Sequence, residues 1–223
     1  MLERRLEPEV MDSLEEAAEY DAMDHEAVNR QFVDDFLATG FSQGEVLDLG
    51  TGTARIPIEL CQRLSAVSVR GVDAAQHMLA LAHRNVFAAV LQTRIALESV
   101  DVKQLPYPTG SFAAVVSNSL VHHIPEPELI FREAMRVLAP GGVLFCRDLA
   151  RPGDRSQLQR LVDTYAVGAT PSQRGLLADS LHAALTADEV ASLLSSHGVP
   201  GSAVAMTSDR HWTCVYRKPA GSV

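Results

Sequence analysis

The chain has 223 residues, is 47% hydrophobic and 21% charged, and carries a formal net charge of −9 with a pI of about 5.3. That apolar share supports a sizeable core. The acidic balance removes any global basic field for nucleic acid, although a local basic groove stays open. Cys61, Cys146 and Cys214 are odd in number, widely spaced and set in apolar contexts. They read as reduced thiols of a cytosolic protein, without metal-site spacing. Met1 to Arg5 leads into acidic sequence, so no signal peptide is expected. No run approaches the ~18 apolar residues of a membrane span.

In chain order, residues 1 to about 40 are acidic and helical in pattern. Glu7-Pro8-Glu9 is a turn or a helix start. Ser13–Ala18 and His25–Leu37 carry helix formers, and Val28, Phe32, Val33, Phe36 and Leu37 fall at core-like spacing. Thr39-Gly40 ends the second helix. Glu19 to His25, with Tyr20, is either an exposed turn holding one aromatic or a segment that closes over a site.

The rest of the chain is organised around the stretch Glu45 to Arg55. Val46, Leu47 and Leu49 predict a strand buried on both faces, Asp48 lies within it, and Gly50 and Gly52 allow a tight turn and close backbone approach. Ile56, Ile58, Leu60 and Leu64 then give a helical apolar face, with Pro57 tolerable in the first turn. Such a strand-loop-helix aims backbone N–H groups at a ligand, although a bare G-x-G is as often only a turn. The second strand, Val67–Val72, ends in Asp73, roughly twenty residues past the glycine turn, where an acid holds a ribose. The competing role is an N-cap for the helix beginning at Ala74. Met78 on that helix packs either on a flat heterocycle or in the core.

The third strand, Arg94–Val100, leads to Asp101-Val102. A turn-rich loop comes next, then the strand Phe112–Val116 and the polar run Ser117 to Pro125. A helix over Glu126–Leu138 is expected to stop at Ala139-Pro140-Gly141-Gly142, before a fifth strand over Val143–Cys146. Regular alternation of strands and helices argues for a parallel, doubly wound sheet. Residues 152–183 break the rhythm with helices over Arg155–Tyr165 and Pro171–His182, well placed to cover a substrate. Thr186 with Glu189 forms a capping box. Ala203–Met206 and Trp212–Tyr216 are expected to pair antiparallel. Between them, Asp209-Arg210-His211 is a hairpin tip near the site or a surface turn beside one packed tryptophan.

Five features occur in one order: Asp48-Leu49-Gly50-Thr51-Gly52, Asp73, Asp101-Val102 with Leu105-Pro106, Asn118 to His123, and Leu138-Ala139-Pro140-Gly141-Gly142. Together they resemble the class I S-adenosylmethionine-dependent methyltransferases, especially the small-molecule branch that includes ubiquinone-biosynthesis-type enzymes. The likeness covers about residues 40–150 and continues loosely into the C-terminal strand pair. The family's glycine loop often has a third glycine, where this chain has Ala54. Residues 1–40 and 152–183 carry no family-wide signature.

The resemblance implies an α/β fold with a doubly wound, mostly parallel seven-stranded sheet, helices on both faces and an antiparallel C-terminal strand, to which the residue pattern adds a helical N-terminal lid. Together they give one domain over 1–223: a lid (1–40), a cofactor core (41–150), a helical insertion (151–185) and a C-terminal helix with a strand pair (186–223). S-adenosylmethionine is then the cofactor and S-adenosylhomocysteine the product. Gly50 and Gly52 would line the methionine portion, Asp73 would hold the ribose, Asp101 would meet the adenine amino group and the Val102 N–H a ring nitrogen. Asn118 would meet the methionine amino group and the substrate, Asp48 would lie under the loop, and Tyr20 resembles a lid aromatic. Thr51, Ala74 and Met78 complete the expected cofactor contacts.

Methyl transfer from a sulfonium is an in-line displacement that positioning can accelerate by up to roughly 7–11 kcal/mol. A base is needed only where the nucleophile must lose a proton early, and histidine suits that near neutral pH. His123 is preferred over His122, with a loop histidine capping the next helix as the alternative. Adjacent histidines should point apart and lack chelating geometry, so no metal is expected. Arg147, Asp148, Arg151 and Arg155 cluster after the fifth strand, either binding an anionic acceptor or forming a salt-bridged loop. The expected partners are a small-molecule acceptor, no nucleic acid and no inserted membrane, with the chain a cytoplasmic monomer or homodimer. A nicotinamide oxidoreductase is disfavoured because G-x-G-x-x-G would need glycine at Arg55. A cofactor-binding regulatory or assembly protein without transferase activity stands as the alternative.

Overall fold

The computed structural model describes residues 2–7 and 26–221. Seven strands form one sheet: β1 (Gly44–Leu49), β2 (Val67–Asp73), β3 (Ile95–Ser99), β4 (Phe112–Asn118), β5 (Leu138–Leu149), β6 (Val204–Met206) and β7 (His211–Arg217). Their order is β3-β2-β1-β4-β5-β7-β6. The first five strands are parallel, β7 runs antiparallel to β5, and β6 runs antiparallel to β7. This is the expected fold class.

Strand β1 sits inside the sheet, between β2 and β4, with both its faces apolar. Leu47 and Leu49 enter one core layer with Val115, Leu144 and Trp212, while Val46 enters the other with Val69, Val116 and Phe145. Helices α1 (Glu26–Leu37), α2 (Arg55–Arg63) and α3 (Gln76–Ala88) are complemented on the sheet's other face by α4 (Pro127–Val137) and α7 (Ala187–Ser195). On α1, Phe32, Val33 and Phe36 are buried, and Phe32 meets Phe145 edge-on at 5.0 Å. Val28 does not join them. It is 51% exposed, because α1 buries a narrower stripe than its apolar spacing suggested. The expected helix at Ser13–Ala18, and Tyr20 with the segment around it, lie outside the described residues.

One boundary differs from expectation. Leu138-Ala139-Pro140-Gly141-Gly142 does stop α4, but the residues belong to β5. Gly141 N donates to Lys218 O and Lys218 N to Gly142 O, both at 2.9 Å, while Leu138 pairs with Phe112 across a register shift. A Cβ on Gly142 would stand 2.8 Å from Ala139 O and 2.9 Å from Ala113 O, so tight packing selects glycine there.

The 152–183 segment forms α5 (Arg155–Tyr165) and α6 (Pro171–Ala183), which share a small apolar cluster around Leu161, Val162 and Leu181. Thr170 and Thr186 each open a helix through a capping box.

Candidate active site

The sheet reverses direction of winding between β1 and β4, the place where doubly wound folds bind ligands outside the carboxyl ends of the strands. A cavity of 430 Å³ opens there. Its wall includes Gly50, Gly52, Asp73, Ala74, Met78, Asp101, Val102, Asn118 and His123, all expected from the sequence. Ala75, Val100, Lys103, Ser119, Leu120 and Ile124 also line it and were not anticipated. Their signal was adjacency: each lies within two residues of an expected contact on the same strand tip or turn.

The glycine loop is tied to β2 before any ligand arrives. Gly50 N and Thr51 N donate to Val72 O at 2.9 and 3.0 Å. Gly50 has φ +69°, a conformation that selects glycine, and a Cβ there would have to push aside the Leu120 side chain, whose Cδ1 would lie 2.8 Å away. Ala54, in the place of the third glycine, adopts φ +62° with its methyl fully buried. Left-handed geometry costs an L-residue roughly 1–2 kcal/mol.

Asp73 lies in the cavity wall and bonds backbone at both the glycine loop and the start of α3. One carboxylate oxygen accepts from Gly52 N at 2.8 Å and the other from Ala75 N at 2.9 Å, at the start of α3. Asp101 accepts from Lys103 N at 2.9 Å and remains half-exposed at the far end of the cavity. Asp48 and Thr51 lie beneath the loop rather than in the cavity wall. Thr51 Oγ1 donates to Asp48 Oδ2 at 2.7 Å, and burial pushes the Asp48 carboxyl up to about 7, with Thr51 opposing and the Asp73 charge adding.

The two histidines do not diverge as adjacency suggested. They occupy a 3₁₀ turn, Val121–His123, with ring centroids 4.1 Å apart. His123 lines the cavity, whereas His122 is 4% exposed and held by Asp148, whose Oδ1 lies 2.5 Å from His122 Nδ1. Burial alone would lower the His122 pKa, but Asp148 and then Glu7 outweigh it and raise it. Glu7 reaches both rings, 3.4 Å from His122 Nε2 and 3.1 Å from His123 Nδ1. No local signal marked Glu7, because only the fold brings the N-terminal segment here.

The charged cluster after β5 is not part of the cavity wall. Arg147 pairs with Asp35 at 2.6 Å, bonds Thr213 Oγ1 at 2.9 Å and lies over Phe32 and Phe145. Arg151 donates to Ala184 O at 3.1 Å and pairs with Glu189 at 2.5 Å. Asp148 accepts from the backbone of Val121, His122 and Leu149. These three side chains are spent on internal partners, because a charge taken out of water must be matched nearby. At the β6–β7 hairpin, Trp212 is fully buried while Arg210 stacks on Tyr165 at 3.4 Å, which makes it a surface turn beside one packed tryptophan.

Residues 46–142 match the family described as methyltransferase domain. The chain is 37% identical over 116 residues to demethylmenaquinone methyltransferase of Thermus thermophilus, covering 52% of each. It is 31% identical over 186 residues to malonyl-[acyl-carrier protein] O-methyltransferase of Geobacter sulfurreducens, covering 82% of this chain and 66% of that one. The chain spans about half the length of the curated relatives it matches. A solved S-adenosyl-L-methionine-dependent methyltransferase fold from Methanococcus maripaludis superposes with a TM-score of 0.70 at 18% identity, over 98% of this chain and 99% of that one. Residues 46–142 thus form a methyltransferase domain, and S-adenosylmethionine is the cofactor of that domain's family.

Proposed function

We propose that the chain transfers a methyl group from S-adenosylmethionine to a small-molecule acceptor in the cavity at the β1–β4 switch point. One observation carries this reading: Gly50, Gly52, Asp73, Asp101, Val102 and Asn118, drawn from four strand tips, line a single 430 Å³ cavity. That volume lies within the range of about 300–1,000 Å³ usual for cofactor sites. In this reading the Asp73 carboxylate exchanges a backbone partner for the ribose hydroxyls. Asp101 and the Val102 N–H meet the adenine, with Met78 and Ala74 beside it. Gly50 and Gly52 let the loop backbone approach the methionine portion, and Thr51 and Asp48 brace the loop from below. Asn118 meets the methionine amino group.

The acceptor enters beside Asn118 and His123, where Leu120 and Ile124 supply apolar surface. The sulfonium carries its own leaving group, a neutral thioether, so the protein's task is alignment and exclusion of water. His123 is placed to take the proton of a hydroxyl or thiol nucleophile. Among the described residues no helix is long and apolar enough to cross a membrane, and the three cysteines are free and buried. In this reading the enzyme is cytoplasmic, acts on metabolites, and is a monomer or homodimer.

Isothermal calorimetry with S-adenosylmethionine should give one saturable site per chain. Labelled-methyl transfer into a metabolite extract, read by mass spectrometry, should then yield a product heavier by one methyl group. Absence of binding by the folded chain overturns the reading. Binding without any methylated product would favour the regulatory or assembly protein instead.

A further inference from the structure

We propose that Glu7, His122 and His123 form a site for one divalent transition-metal ion, Zn²⁺ by ligand type, at the wall of the cavity. Adjacent histidines alone argue against chelation, and a third ligand from a remote segment changes that. Arg4 donates to the carbonyls of Ala183 at 2.7 Å, Ile124 at 2.9 Å and His122 at 3.3 Å, and Arg5 N donates to His182 O at 3.2 Å. These bonds strap residues 2–7 across the histidine turn and deliver Glu7, whose side chain is 10% exposed.

Glu7 Oε2 accepts from Ser180 Oγ at 3.1 Å. Glu7 Oε1 is buried and makes no hydrogen bond among the described residues, yet it stands 3.4 Å from His122 Nε2 and 3.1 Å from His123 Nδ1. All three ligand atoms fall within 4.8 Å of one another. Ligands at about 2.0–2.2 Å around a tetrahedral zinc are about 3.3–3.6 Å apart, so the 3.4 and 3.1 Å separations approximate edges of a coordination polyhedron.

The surroundings complete the argument. The Asp148 carboxylate, anchored by the backbone N–H groups of Val121 and Leu149, holds the proton of His122 on Nδ1. That turns the Nε2 lone pair toward Glu7, in the carboxylate–histidine–metal arrangement that orients zinc ligands. With the ring neutral that contact is repulsive, and either a second ring proton or a metal ion makes it attractive, so the two compete for Nε2. Glu7 and Asp148 supply two negative charges to the ion's two positive ones. Arg4, the cation beside the cluster, aims its donors at carbonyl oxygens. Two imidazoles and one carboxylate suit Zn²⁺, and three protein ligands leave a position for an exchangeable oxygen or sulfur donor. His123 lies in the cavity wall, so that donor is water or the hydroxyl or thiol of an entering acceptor, and with His123 Nδ1 ligated the ion replaces that ring as the group that draws off the acceptor's proton.

The test uses the full chain, stripped with chelator and titrated with Co²⁺ in the absence of cofactor and acceptor. Its outcome is therefore separate from that of methyl transfer. One equivalent of Co²⁺ should bind with the intense visible absorption of four- or five-coordinate cobalt, and one equivalent of Zn²⁺ should displace it. Glu7→Ala and His123→Ala should each weaken binding at least tenfold, while His83→Ala, an exposed position on α3, should leave it unchanged. His123 is partly exposed, so its variant keeps the test sound should Glu7→Ala loosen the N-terminal strap; circular dichroism confirms folding of each. The proposal is overturned if the folded chain takes up no stoichiometric Co²⁺, or if both variants bind it as tightly as the parent.

Discussion

The carboxyl edge of the sheet has two halves that look alike in sequence and differ in use. On the β1–β2–β4 side, Gly50, Asp73, Asp101 and Asn118 surround open space. On the β5 side, Arg147, Asp148 and Arg151 are as polar and as close to a strand tip, yet each is consumed by a partner inside the fold. A charge cluster therefore signals a ligand only where the fold withholds internal partners. Burial sharpens the contrast, since the β5-side groups have lost water and must be matched by protein, while the cavity groups keep space for a ligand.

The largest test of this contrast is Asp148→Ala. It strips an anion from three backbone donors and from His122, so the folded state should lose about 3–5 kcal/mol in urea titration. A loss below about 1 kcal/mol would mean that the β5-side group is not structural after all.

The next concerns Asp48, which lies between the two halves. Its carboxyl ionises near 3.8 when unfolded and at about 7 in the native state. Across that window the native chain holds a proton that the unfolded chain has released, so stability declines as pH rises. The decline should approach about 4 kcal/mol at most between pH 4 and pH 7, and Asp48→Asn should flatten it. Urea midpoints over that range decide the matter.

On the cavity side, Asp73→Ala should weaken S-adenosylmethionine binding by about 1.5–3 kcal/mol in calorimetry, through loss of charge-assisted bonds. Unchanged affinity would remove the ribose contact and with it the functional half of the comparison. The smallest effect belongs to Ala54→Gly. Relief of the left-handed strain is offset by a lost buried methyl and a more flexible unfolded chain, so thermal unfolding should report a change under about 1 kcal/mol.

Much of this was legible in the residues. The alternation of buried runs with amphipathic stretches identified every strand of the sheet, and α5 runs over Arg155–Tyr165 as its pattern indicated. Boundaries failed where partners came from afar: Gly141 and Gly142 read as coil, and their strand partner is Lys218. Val28 read as core because periodicity reports which residues are apolar, not how wide a stripe the neighbouring helix covers.

The sequence by itself determined which segments become strands and helices and the order in which their tips follow one another along the chain, because strand and helix periods, glycine turns and caps are local properties of a few neighbouring residues. Only the tertiary structure decided which tips meet a common cavity, which charges are already matched, and that Glu7 stands against two histidines far along the chain. Those are questions of long-range pairing, and no period or spacing encodes where distant side chains come to rest.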